Sequence, residues 1–173
     1  MTLIQGCCLP AGRLQRIMNG TDQLEEAARQ LADAVDAVLA RWVVGSVERI
    51  YRAWSDGPIP SDVAVAAAEA GRRARADISE RVRTLLEADV DEQRTTPLTL
   101  LRTAVAYPTA VLQAAGIPDV QRDAVAEAMF PDDPYELTPA SFADIDPSLQ
   151  ELGLRWGAAK AWTHKRRHES GPA

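Results

Sequence analysis

Two cysteines, two histidines and two lysines are all that this chain of 173 residues carries of three reactive residue types. The cysteines are neighbours, Cys7 and Cys8, and adjacent cysteines cannot frame a fold. They read as reduced thiols in an N-terminal arm. The histidines, His164 and His168, stand at the opposite end of the chain. A di-metal helical bundle places a glutamate three residues before each histidine. Here Ala161 and Lys165 hold those places. The glycines number only ten and are scattered, with no phosphate-cradling loop among them. No motif therefore assigns a catalytic residue, a cofactor or a metal, and the chain does not read as an enzyme.

Long uncharged runs are also missing. The most apolar window, residues 98–117, is about as long as a membrane span of ~20 residues. Arg102, Pro108 and Gln113 interrupt it, so it reads as a buried core helix and not a transmembrane segment. The six residues before Cys7 include no basic start and no apolar stretch of the ~7–15 residues that a secretion signal needs. The expected compartment is the cytoplasm. No alternating strand pattern and no internal repeat is visible. Two carboxylate motifs fail on inspection. Asp132, Asp133 and Glu136 have the spacing of a helical magnesium–diphosphate motif, but Pro131 and Pro134 flank the pair, and proline disrupts a helix interior. Asp144 and Asp146 could open a calcium loop, but Leu149 stands where its glycine belongs and Arg155 where its last ligand belongs.

What the chain has in abundance is alanine, at 30 positions, and arginine, at 17. Alanine is the best intrinsic helix former, so the composition leans helical. The arginine excess over lysine fits GC-rich coding DNA and a bacterial source. Asp22 and Glu25 form an N-terminal capping signal. Met18 directly precedes it and is an alternative start, which leaves open whether residues 1–17 belong to the native protein. Leu24, Ala28, Leu31, Val35, Val38, Trp42 and Gly45 then recur at alternating spacings of four and three. That is a heptad-like seam. Beyond Gly45 the seam moves to Val43, Val47, Ile50 and Trp54, and Gly45-Ser46 is a place for a bend.

Residues 55–61 form a turn by composition, and Ser61 is the expected cap of a second long helix. Its seam is Val63, Ala67, Ala70, Ala74, Ile78, Val82 and Leu85, small at first and larger later. A short turn between two long helices makes them antiparallel neighbours. The expected fold class is all-α: a long antiparallel helical hairpin followed by a compact cluster of shorter helices, like a helical bundle. The division is a flexible arm over residues 1–21, the hairpin over 22–89, the C-terminal cluster over 97–168 and a disordered tail over 169–173. In the cluster, Pro108 should kink or split a helix that Gly116 stops. Pro118 should open another, over 118–130. Thr138-Pro139 and Asp146-Pro147 each read as a cap followed by proline at the first helical position. Gly153 is a place where the last helix could divide, and its expected buried face is Leu149, Leu152, Trp156, Ala159 and Trp162.

The net charge of −6 argues against general polyanion binding. Acidity gathers in the middle of the chain, and the last 14 residues are basic. Lys160, Lys165, Arg166 and Arg167 are the candidate contacts for an anionic partner, although nucleic acid usually demands a broader basic face. Arg72, Arg73, Arg75, Arg81 and Arg83 read as a solvated face, with Glu69–Arg73 and Asp77–Arg81 as helical pairs. Tryptophan is enriched at interface hot spots. The candidate interface is therefore Leu31, Val35, Val38 and Trp42 on the first seam, together with Trp54 beside the turn and Trp162 beside the basic end. The function that follows is a non-enzymatic interaction or assembly protein, an adaptor or a self-associating bundle, whose partner is another protein or a second copy. The alternative is a helical regulator with an apolar ligand pocket near Tyr107, Phe130 and Trp156.

Overall fold

The computed structural model describes residues 20–88, 96–117 and 138–169, and all regular structure among them is helical. The first helix, α1 (Gly20–Trp54), runs for 35 residues, which is about 52 Å at ~1.5 Å per residue. It begins at Gly20, so Asp22 lies inside its first turn and not at the cap. There its negative charge complements the helix dipole. The helix continues through Gly45 without interruption. Its buried stripe contains the expected seam from Leu24 to Trp42, widened by Ala27, Ala32, Leu39 and Val43. Gly45 itself faces solvent. Further on, Val47 and Tyr51 are buried while Trp54 is not.

A short connection returns the chain. Ser55 donates its backbone N–H to the Tyr51 carbonyl at 2.8 Å, and Gly57 donates to the Ser55 hydroxyl at 3.3 Å. The second helix, α2 (Ser61–Glu87), has Pro60 and not Ser61 at its cap position, with no side-chain cap bond. It buries Val63, Ala67, Ala70, Gly71, Ala74, Ile78, Val82 and Leu86. Leu86 takes the inward place expected of Leu85, which is half-buried. The small residues let the two backbones meet. A Cβ at Gly71 would lie 2.7 Å from the Ala40 carbonyl oxygen. Arg75 reaches across to Asp36 at 2.5 Å and Arg83 to Asp33 at 2.8 Å. These contacts pair later residues of one helix with earlier residues of the other, which makes the hairpin antiparallel. Arg75 and Arg83 thus brace the helix–helix seam, while Arg72, Arg73 and Arg81 stand on the exposed face of α2. Arg72, not Arg73, pairs with Glu69, and Asp77 accepts from Tyr107.

The shorter helices close over this hairpin. A first pair is α3 (Thr96–Arg102) and α4 (Ala106–Ala114), joined by a 3₁₀ turn over Thr103–Val105. Pro108 explains the join. It has no N–H to offer the carbonyl four residues back, at Ala104, so the chain tightens there. Gly116 ends the pair in the left-handed region, at φ 81°. It donates to the Gln113 carbonyl at 3.0 Å, and Ile117 donates to Leu112 at 3.1 Å. That is a Schellman motif.

The C-terminal group starts where both cap-then-proline signals predict. Thr138 donates its backbone N–H to the Ser141 hydroxyl at 3.1 Å, and a 3₁₀ turn over Pro139–Ser141 leads into α5 (Phe142–Ile145). Asp146 accepts from the Ser148 N–H at 3.0 Å, and a turn over Pro147–Leu149 leads into α6 (Gln150–Glu169). Gly153 does not divide α6. It is buried, and a Cβ there would fall 2.4 Å from the Pro139 carbonyl oxygen, so glycine serves close packing. Trp156 locks the group to the hairpin. It is buried, it meets Phe142 edge-on with ring centroids 6.1 Å apart, and its indole N–H donates to the Leu86 carbonyl at 3.1 Å. That carbonyl belongs to the last turn of α2, where intrahelical donors run out. Arg41 on α1 pairs with Asp146 at 2.9 Å.

The result is an all-α bundle of two long packed helices and several shorter ones. Gly20 and Thr21, expected in the arm, belong to α1, and Glu169, expected in the tail, ends α6. Cys7, Cys8, the expected helix over 118–130, Phe130 and the acidic stretch of Asp132, Asp133 and Glu136 lie outside the described residues.

Two glycines give a paired test of this packing. A Cβ at Gly45 meets nothing within 4 Å, so Gly45→Ala should stabilise the protein by about 0.5–1 kcal/mol. Gly71→Ala should destabilise it by about 1–3 kcal/mol through overpacking against Ala40. Urea denaturation followed by circular dichroism reads both, and shifts of the same sign would refute the close approach. The Asp36–Arg75 pair adds a pH signature. The Arg75 guanidinium holds the Asp36 carboxyl below its ordinary range. The pair therefore stabilises the fold above the pH where a free aspartate ionises, about 3.9, and that contribution is lost as pH falls through the lower native value. Asp36→Asn should be less stable than wild type near neutrality, with the gap closing below about pH 4. An equal gap at pH 7 and pH 3 would show that the ionic pair contributes nothing.

Candidate functional site

The candidate interface residues separate into two kinds. Leu31, Val35, Val38 and Trp42 are buried inside the chain. The regular seam of α1 is covered by its own bundle, chiefly by α2 and α6, so these four side chains offer no open surface. Trp54 and Trp162 are different, at 55% and 45% exposed. They are not neighbours. Trp54 ends α1 and stacks edge-on against Tyr51 at 6.1 Å. Trp162 lies against the first residue of the same helix, where a Cβ on Gly20 would collide with the indole. The length of α1 separates them.

The basic residues also divide. Lys160, expected at the surface, is only 6% exposed, with its ammonium 5.3 Å from the centre of the Trp156 ring. An alkyl stem packed in the bundle and a cation over an aromatic face account for that position. It is not available to an external anion. Lys165, Arg166 and Arg167 are exposed. Lys165 pairs with Glu169 at 3.6 Å, and the Arg166 guanidinium lies 5.2 Å from the centre of the Trp162 ring.

That last contact joins the two candidate sets at one place. Beside it runs a groove of about 540 Å³ between the start of α1 and the middle of α6. Gln23, Glu26 and Ala27 form one wall, and Arg155, Ala158, Ala159 and Trp162 form the other. The groove exists because alanines occupy the positions where the helices would otherwise fill the space. Leu154, half-exposed one turn before Ala158, extends the apolar strip along α6. The Thr163 hydroxyl donates to the Ala159 carbonyl of its own helix at 2.9 Å and also lies 3.3 Å from the Gly20 carbonyl of the other wall. Glu26 is held as a carboxylate, below its ordinary range, by Arg29 and Gln30. Arg155 and Ala158 were not singled out from the sequence. They precede Trp162 by seven and four residues, which places them on its face of the helix.

A second hollow of about 410 Å³ lies between α2 and α4. Its lining is mostly small and apolar, including Ala66, Ala70, Ala110 and Val111, with Arg73 and Tyr107 as the polar elements. The Tyr107 hydroxyl donates to Asp77 at 2.5 Å. Burial first, and then the Asp77 carboxylate, push its ionisation upward, so it acts as a neutral donor. Of the three residues expected around a pocket, Tyr107 lines this one. Trp156 is packed in the core, and Phe130 lies outside the described residues.

A third cleft, lined by Asp22, Glu25, Glu26, Arg29 and Glu87, is acidic. Among the described residues no group of three or more His, Cys, Asp or Glu side chains could hold a metal ion. No helix among them is long and apolar enough to cross a membrane. No protein family, curated protein or solved structure matches the chain.

Proposed function

We propose that this chain is a non-enzymatic interaction protein that docks a segment of another protein in the groove between α1 and α6. One observation carries the reading: a tryptophan 45% exposed at the edge of an apolar groove, with an arginine lying over its ring. A tryptophan held in place by packing and cation–π contact presents a large contact area with little conformational entropy to lose. The groove floor of Ala27, Ala158 and Ala159 accepts an inserted apolar side chain. On the α6 side of the groove, Arg155 and Arg166 supply positive charge beside Trp162, while Glu26 faces it from α1. The fitting partner is therefore an amphipathic segment with an apolar anchor flanked by carboxylates. The seam residues Leu31, Val35, Val38 and Trp42 are buried, so the reading rests on Trp162 in their place.

Trp162→Ala and Arg166→Glu should each abolish retention of one cross-linked partner from the native host, while Trp54→Ala retains it. Circular dichroism should show unchanged helicity in all three, since all three mutated side chains are exposed. Equal retention by wild type and both groove variants would refute the site. Native mass spectra at rising concentration show whether that partner is a second copy of the chain.

The hollow between α2 and α4 favours a second reading, a small apolar ligand with one hydrogen-bonding group directed at Tyr107. Ala110→Trp places an indole across that hollow from an exposed position. A bound small molecule should appear as a defined added mass on the wild-type protein and vanish from this variant. An adduct that survives in Ala110→Trp would place the ligand elsewhere.

A further inference from the structure

The geometry of α6 points to a transition-metal site at its exposed end, formed by His164 and His168. The two imidazoles are four residues apart, which stacks them on one face of the helix. Their ring centres are 4.2 Å apart, and their Nε2 atoms face each other at 2.9 Å. In the metal-free pair one Nε2 donates its hydrogen to the other. When both rings carry their proton on Nδ1, each presents an Nε2 lone pair on the same side of the helix. Zinc and its neighbours bind imidazole nitrogen at about 2.0–2.1 Å. The 2.9 Å separation is that of the hydrogen-bonded pair, which a shared ion would replace. Two imidazole nitrogens completed by water suit the tetragonal centres of Cu²⁺ and Ni²⁺.

Lys165, Arg166 and Arg167 lie between the histidines in sequence, so affinity rests on the two imidazoles and not on a local negative field. The carboxylate of Glu169 engages Lys165, and Arg166 is drawn aside over Trp162. The pair also lies in the last turns of α6, where the helix dipole favours positive charge. A sequence search for three or more ligands, or for glutamate–histidine pairs, passes over a two-histidine clamp of this kind. The pair stands beside the docking groove and not within it: Trp162 precedes His164 by two residues, and Arg166, between the histidines in sequence, turns toward Trp162.

The test titrates Ni²⁺ and Zn²⁺ into the full, tag-free chain by calorimetry. One equivalent of Ni²⁺ should bind, and more tightly than Zn²⁺. His164→Ala and His168→Ala each leave a single imidazole on an exposed helix face, so both should fold normally. Each should weaken Ni²⁺ binding by at least about tenfold, the lower end of what loss of even an outer-shell partner of a metal site costs. The Cys7→Ser/Cys8→Ser protein should bind as wild type does. Equal Ni²⁺ affinity in wild type and either histidine variant overturns the site. So does loss of binding in the cysteine variant alone, which would assign the metal to the thiols, and so does a preference for Zn²⁺, which would refute the open imidazole–water centre.

Discussion

The contact of Gly71 with the backbone of Ala40 sets the spacing on which the rest of the bundle depends. Helices normally pack about 8–10 Å apart, with larger side chains between them at the upper end. Here the middle of the hairpin is built from Ala67, Ala70, Gly71 and Ala74, so the backbones approach closely. Close approach brings Arg75 and Arg83 within reach of Asp36 and Asp33 across the seam. It also narrows the hairpin enough that two long helices cannot bury all of each other's apolar surface. Val35, Val38, Leu39 and Trp42 occupy a stripe wider than a strict seam, and the shorter helices complete its burial.

Those shorter helices are positioned by a few local devices that resolve backbone problems in pairs. Pro108 removes a donor and produces the tight turn between α3 and α4. Pro139 and Pro147 start helical turns at places where a missing N–H costs nothing. Trp156 resolves two needs at once, filling the space between hairpin and C-terminal group while satisfying a carbonyl that α2 leaves without a partner. A buried indole needs an acceptor, and a helix end needs donors. Their meeting fixes where α6 lies, and so where its Leu154–Trp162 strip faces.

Periodicity and local backbone chemistry were the legible parts of this fold. The seam from Leu24 to Trp42, the alanine-rich half of α2, the Gly116 stop and both cap-then-proline starts depend on residues near one another in sequence. What the pattern could not give was the role of single residues whose neighbours come from far away. Gly45 and Gly153 both looked like breaks. One is an exposed position in an unbroken helix, and the other is a packing contact with Pro139. Lys160 looked like a surface base because its neighbours are basic, but it turns inward over a tryptophan. The groove was illegible for the same reason, since its walls come from opposite ends of the chain. Trp162 carried a signal, but Gln23 and Ala27 became its neighbours only through folding.

The reading of interfaces from sequence carries a bias that this bundle exposes. The more regular an apolar stripe, the better it matches another helix, and in a chain with several helices the nearest match is another part of the same chain. Leu31 and Val38 fit their pattern and are buried. Trp54, Leu154 and Trp162 remain half-exposed because they stand at the margins of the stripes, at helix ends or on the outer face of α6. Exposure of a large apolar side chain carries a solvation cost that packing elsewhere does not recover. An indole kept out of the core yet held by Gly20 and Arg166 is a stronger docking candidate than any residue of the seam, because its placement is fixed without its surface being covered.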